Sequence, residues 1–332
     1  MRKYAVVFVH GLAKKPPLTK LEEIWRWGLS RPDPNGEVFP NPNPGIDLDV
    51  EGVPALFNYY ADVFYAEDYE TEFGSYYEAE SAVVLPDNLD AVAGELQPPQ
   101  PANERERRFL VEFERKMSEQ PTPPTPPSVL TAPAVADAAQ FEIASWLPGP
   151  VKQAVIRKAA MEAYYFLFDK EYQRENSQPV KVRHELRQRL LDVLRKAGQK
   201  AEKTVLVTHS MGTMVAYDVL RNCPDCPPVD TLFTLGSPLG IQEVQDELVA
   251  SGKDQVDFPA ATLRRWINIY DPLDPVCGAD PRFASDFREV DGKRVEDFLE
   301  SNWGSWRHTI THYLAGKQLR ACLAEALEVQ LR

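Results

Sequence analysis

Residues 204–214 carry the residue types best placed to do chemistry. An apolar, β-branched run, Thr204 to Thr208, halts at His209-Ser210-Met211-Gly212, and the chain then resumes with helical spacing. A serine at such a strand-to-helix corner has its hydroxyl pushed out above a sheet edge, with the start of the next helix aimed at it. A serine hydroxyl is a weak nucleophile. It needs a base to take its proton, an acid to orient that base, and donors for the oxyanion that forms on an attacked carbonyl. Downstream of Ser210 lie Asp271 and Asp274 in one Pro-rich loop, and then His308 and His312 around the start of the final helical stretch. Nucleophile, acid and base types therefore follow one another in the order Ser, Asp, His.

Those residues need elements to hold them. Residues 4–9 are an unbroken apolar run that predicts a strand buried on both faces. Its apolar length is too short for a signal-peptide core, and no cleavage-like small-residue site follows. Further strands are expected at 61–65, 231–235 and 266–270, and a two-residue Asp-Gly hairpin at 288–295. Helices are expected at 104–119, in two pieces over 141–172 separated by Pro148-Gly149-Pro150, at 180–197 with Gly198 as the stop, at 242–250, and over 308–331. Residues 28–54 are rich in Pro, Gly, Asn and Asp and read as irregular. The Pro/Thr run within 120–133 fits neither helix nor sheet and reads as an extended connector. Strands alternating with helices predict an α/β fold with a mostly parallel sheet covered on both faces.

Composition bounds the partners. The 332 residues are 43% hydrophobic and 10% aromatic, enough for a sizeable core, and the formal charge is −13. That balance argues against nucleic acid, whose phosphates call for clustered Lys and Arg, and against electrostatic docking on anionic lipid. No segment reaches the apolar length of a membrane span, and an acidic chain of this kind is expected to be cytoplasmic. Four cysteines are present, and Cys223 and Cys226 form a lone CxxC with no second pair or His pair to complete a metal site. They read as loop thiols. No cofactor or metal is expected.

Five segments taken together carry a resemblance. Val9-His10-Gly11-Leu12, Thr208 to Gly212, Leu235-Gly236-Ser237-Pro238-Leu239, Asp271 to Val276, and His308 to Leu314 occur in the order seen in the α/β-hydrolase superfamily. The set resembles its lipase/esterase branch, including hydrolases similar to GPI inositol-deacylase and lecithin acyltransferase. The likeness covers residues 4–12 and about 180–332. It implies an α/β-hydrolase core over 1–65 and 176–332, with 66–175 as an inserted helical cap or lid. It further implies Ser210 as nucleophile, Asp274 as acid because Asp-Pro-Val resembles the family's pattern, and His308 as base. Asp271 and His312 stand as alternatives, Asp271 as a turn cap if it is not the acid. The backbone N–H groups of Leu12 and Met211 would form the oxyanion hole. Where the family carries Gly-x-Ser-x-Gly, this chain has Thr208 in place of the first glycine.

His209 is expected to be a packed neutral histidine pointing away from the serine, His10 to pin the oxyanion loop, and His184 to be structural. The implied reaction is hydrolysis of a carboxylic ester by a carboxylesterase or lipase through an acyl-enzyme, on a small-molecule or lipid-like substrate with an apolar part. Acyl transfer to another acceptor, or a catalytically silent binding protein of the same fold, are the alternatives.

Overall fold

The computed structural model describes residues 1–11, 15–32, 43–65, 96–119, 149–174, 177–249, 252–277, 279–303 and 307–332. In chain order they form strand β1 (Arg2–Val9), helix α1 (Leu18–Ser30), β2 (Ala55–Asn58), α2 (Glu104–Ser118), α3 (Gly149–Leu167), and the short strands β3 (Glu171–Tyr172) and β4 (Val180–Lys181). Then follow α4 (Val182–Lys200), β5 (Ala201–His209), α5 (Met211–Asn222), β6 (Val229–Leu235), α6 (Gln242–Leu248), β7 (Leu263–Tyr270), β8 (Val295–Leu299), α7 (Ile310–Ala315) and α8 (Lys317–Leu327).

Six strands make one sheet in the order β2-β1-β5-β6-β7-β8, and every neighbouring pair runs parallel. The strands are apolar along both faces because both are covered. Alternate residues separate the two cores. Ala5, Val7, Val9, Leu206, Leu232 and Trp266 pack with residues of α2, α3, α4 and α5. Tyr4, Val6, Phe8, Val207, Phe233 and Ile269 pack with α1, α7 and α8. The fold is thus a mixed α/β architecture with helices on both faces of a parallel sheet, consistent with an α/β-hydrolase-like topology.

Two buried charges fasten helices to this frame. Arg320 of α8 is fully buried and donates to the carbonyls of Gly28, Arg31, Asn43 and Leu314. A guanidinium offers five fixed donors, so one side chain closes the C-terminal end of α1 and anchors α7 beside it. On the opposite face Asp218 of α5 is fully buried and accepts from Arg183 and Arg187 of α4 and from Asn222.

Several local expectations differ from the structure. The strand near residue 60 is Ala55–Asn58, and Ala61–Val63 is a 3₁₀ turn; the backbone leaves the sheet where Tyr60 turns to hydrogen-bond the end of β1. Helix α4 runs through Gly198 to Lys200, because a glycine in a helix interior costs about 1 kcal/mol without breaking it. The last helix is two helices, divided at Gly316, where an added Cβ would lie 2.4 Å from Glu300 Oε2. Asp291 and Gly292 do turn with positive φ, but they close only one antiparallel bridge, Val290–Lys293, before β8 joins the sheet in parallel. All four cysteines are free and buried, and Cys223 and Cys226 lie as unpaired thiols in the loop after α5, as the lone CxxC suggests. The Pro/Thr connector at 120–133 and the first helical piece expected over 141–148 lie outside the described residues. Among the described residues no helix is long and apolar enough to cross a membrane.

The Asp218 clamp sets a stability prediction. Asp218→Ala leaves two part-buried guanidiniums without their carboxylate and should lower the unfolding free energy by about 3 kcal/mol. Urea denaturation followed by circular dichroism measures it; a loss under 1 kcal/mol would show that solvent replaces the clamp.

Candidate functional site

Parallel pairing brings the carboxyl ends of β1, β5, β6 and β7 to one edge of the sheet, and the residues just beyond those ends meet there. Ser210 follows β5 and is the N-cap residue of α5, with φ 55° and ψ −130°. A non-glycine residue at that backbone conformation carries strain of about 1–3 kcal/mol and persists only where its surroundings hold it. Here the Ser210 N–H donates to the Leu235 carbonyl at 3.0 Å. Its own carbonyl accepts from the Thr213 N–H at 3.0 Å and from Thr213 Oγ1 at 2.6 Å. Ser210 Oγ is buried and makes no hydrogen bond among the described residues.

Close packing around the corner depends on glycine. A Cβ on Gly11, just past β1, would lie 2.6 Å from Ser210 Cβ, so only glycine lets the two loops approach. Thr208, in the position where a glycine was expected, is accommodated because its hydroxyl donates to the Phe233 carbonyl of the adjacent strand at 2.8 Å. A β-branched residue fits there by spending its polar group on the sheet.

Asp274 and His308 are in contact. The fully buried Asp274 accepts from His308 Nδ1 at 2.9 Å and from the Tyr313 hydroxyl at 2.7 Å, both on Oδ2, and from the Val276 N–H at 2.8 Å on Oδ1. Burial pushes the Asp274 carboxyl up, but the His308 charge and these three donors outweigh it and hold the group below its ordinary range. Gly236, at φ 52°, lies under the pair; a Cβ there would sit 2.7 Å from Asp274 Oδ2 and 3.0 Å from His308 Nδ1.

Asp271 does something else. Its Oδ2 accepts from the Asn302 N–H at 2.8 Å and from Arg307 at 3.2 Å, and its Oδ1 caps the turn at the Leu273 N–H. Asn302 Nδ2 donates in turn to the Arg307 carbonyl at 2.7 Å. Asp271 therefore ties down Asn302 and Arg307, both of which precede His308 along the chain. Burial keeps its carboxyl above the usual range despite those donors.

The other histidines divide by environment. His312, fully buried in α7, packs against the Trp303 ring at 3.7 Å. His209 lies on the face of the sheet that α7 covers and stacks on His308, ring centroids 4.4 Å apart. His10 accepts from the Tyr60 N–H at Nε2, 3.0 Å, which leaves Nδ1 to donate to the Gly11 carbonyl at 2.7 Å. Burial drives the proton affinity of His10 well below the ordinary histidine range, and the Lys15 charge adds to it. For His209 burial again leads, followed by the charges of His308 and Lys15. Met211 is the buried first residue of α5, where helix geometry gives its N–H no intrahelical acceptor. Leu12 lies outside the described residues.

The sequence reading missed Tyr313, Asn302 and Arg307. No local pattern marks them: each matters through a partner about 30 to 40 positions away. No protein-family model matches the chain, and no curated protein matches its sequence. The functional reading therefore rests on the fold and on this geometry.

The buried histidines give a pH prediction. Both are held neutral in the fold, whereas in the unfolded chain each takes up a proton near pH 6.5. The unfolded state then binds more protons below that pH. The stability contributed is complete above about pH 6.5 and is lost as pH falls below it, at up to about 1.4 kcal/mol per unit for each histidine. Urea midpoints should fall between pH 7 and pH 5.5 by the equivalent of at most about 2 kcal/mol. His10→Asn should remove about half of that slope, and an unchanged slope would show that His10 is protonated in the native state.

Proposed function

We propose that this chain is a serine hydrolase acting on carboxylic esters, with Ser210 as nucleophile, His308 as base and Asp274 as the acid that orients it. The observation that carries the reading is the Asp274–His308 hydrogen bond, formed at the same sheet edge as a serine held at positive φ on a strand-to-helix corner. The Asp274 carboxylate fixes the His308 tautomer with the proton on Nδ1, which leaves Nε2 to accept. Ser210 Oγ attacks the ester carbonyl while its proton passes to Nε2. The tetrahedral intermediate collapses, Nε2 returns the proton to the departing alkoxide, and an acyl-enzyme remains. Water then repeats the sequence, losing its proton to Nε2, and releases the carboxylic acid and free Ser210. The Met211 N–H, joined by that of Leu12, receives the oxyanion; each such donor is worth about 2.7–4 kcal/mol in the transition state. Ser210 Oγ has no hydrogen-bond partner among the described residues, and catalytic hydrogen bonds are often long or poorly aligned until a substrate draws them together.

In this reading residues 1–65 and 176–332 make the catalytic core, and 66–175 the inserted cap. The substrate is a small-molecule or lipid-like ester of the carboxylesterase or lipase type. Most aromatic side chains of the described part of the insertion, among them Phe109, Phe113, Tyr164 and Tyr165, are buried in the main core, and Phe168 is partly buried against it. They support the fold rather than report on acyl length.

A fluorophosphonate probe tests the proposal directly. Ser210 should be phosphonylated in the wild type and unlabelled in Ser210→Ala by peptide mass mapping. Asp274→Asn should lower kcat/KM on a short-chain ester by about 10³-fold or more. Folded wild-type protein that neither labels nor hydrolyses any ester, with or without detergent, would leave a binding protein of the same fold as the better reading.

A further inference from the structure

Tyr313 is buried in α7 and has no place in the three-residue mechanism, yet its hydroxyl ends on the same carboxylate oxygen as His308. It donates to Asp274 Oδ2 at 2.7 Å, and its oxygen accepts from the Asp271 N–H at 3.3 Å. The chain Asp271 N–H to Tyr313 O–H to Asp274 Oδ2 polarises in one direction, since a phenol that accepts a hydrogen bond donates more strongly. We propose that Tyr313 is a positioning residue for the Asp274–His308 pair, locking Oδ2 towards the imidazole and drawing off part of the charge with which the carboxylate holds it. The proposal deepens the serine-hydrolase reading and rests on it for its kinetic consequences.

Two physical effects follow from one hydrogen bond. The first is geometric. Oδ1 is tied to Val276 and Oδ2 to Tyr313, so the carboxylate cannot rotate about its own bond without losing a partner in a buried site. The second is electrostatic. An Asp274 that shares its charge with a phenol stabilises the imidazolium less than one that keeps its full charge. Other groups that face the pair are Asp271 and Cys277 from the loop after β7, His209 from the end of β5, and Arg307 beside His308. Lys15 acts on the same cluster through His209. Replacing Tyr313 by Phe leaves these side chains in place, takes from the Asp271 N–H and Cys277 Sγ their contacts with the hydroxyl, and keeps the ring that packs near His209, centroids 5.9 Å apart.

Tyr313→Phe should lower kcat about tenfold with KM within twofold, and move the acid limb of the pH–rate profile up by about half a unit to one unit. Site-specific 3-fluorotyrosine at 313, a stronger donor that retains the hydroxyl, should move the limb the opposite way. That variant also keeps the test available should Tyr313→Phe fail to fold. A purely structural tyrosine would lower Tm and activity together, with the limb unmoved by either substitution, and that result overturns the proposal. A readout independent of hydrolysis separates this proposal from the one beneath it. In the ¹⁵N-labelled protein, the midpoint of the His308 ring resonances should shift upward in Tyr313→Phe whether or not Ser210 reacts. A fixed midpoint refutes the role of Tyr313; a shifted midpoint in protein that labels with no probe refutes only the hydrolase reading.

Discussion

Six strands that all run one way impose a single constraint: every connection must cross a face of the sheet and re-enter from the same end. The turns that follow the strands therefore collect along one edge. In this chain the turns after β1, β5, β6 and β7 bring Gly11, Ser210, Gly236 and Asp274 to that edge, although more than 200 residues separate the first from the last. Nothing local to any of these turns selects its neighbours. The register of the strands does so, since Val9 pairs with Thr208 and His209 pairs with Leu235. Moving one strand by a residue would exchange its two faces and displace the turn that follows it.

Crowding at that edge is resolved by atoms the chain leaves out. Gly11 removes a Cβ from the path of Ser210, and Gly236 removes one from beneath Asp274 and His308. The same economy explains why a buried carboxylate is tolerated. Removing Asp274 from water costs several kcal/mol unless its lone pairs are satisfied. Three donors converge on it, from α7, from the His308 segment and from its own turn. Each donor belongs to a different piece of backbone, so the charge and the local packing hold one another in place. Arg320 works the same way at the far end of α7, where one guanidinium satisfies four carbonyls from three segments.

What was legible in the sequence was what depends on neighbours along the chain. The β-branched run before Ser210 and the small residues after it encode a strand, a sharp corner and a helix, and all three are present. The apolar run at 4–9 encodes a strand covered on both faces, which is how β1 sits. The Asp274–His308 contact was reached through resemblance, not through any pattern linking positions 34 residues apart. The break at Gly316 escaped notice because apolar spacing continues through it; the break comes from Glu300, which approaches from another segment. Gly198 misled in the opposite sense. Nothing lies within 4 Å of its missing Cβ, so neither packing nor backbone demands a stop there. Tyr313 was invisible for a similar reason: a tyrosine on an apolar helix face reads as core until the carboxylate beside it is seen.

Asp271 and Asp274 show how three residues of separation can assign opposite tasks to one residue type. Both are buried, and each raises the other's cost of ionisation. Their donors set them apart. Asp274 receives an imidazole and a phenol on one oxygen, and its carboxyl is held low. Asp271 receives two backbone amides and a guanidinium, and burial still prevails over them. Tyr313 stands between the two, accepting from the backbone of Asp271 and donating to the side chain of Asp274. The first aspartate thus braces the segment that brings His308 in, and the second grips the ring once it has arrived. Exchanging the two roles would place a less readily ionised carboxylate against the imidazole and leave Arg307 without its anchor. Two carboxylates in one loop are in this arrangement complementary, because one supplies position and the other supplies charge.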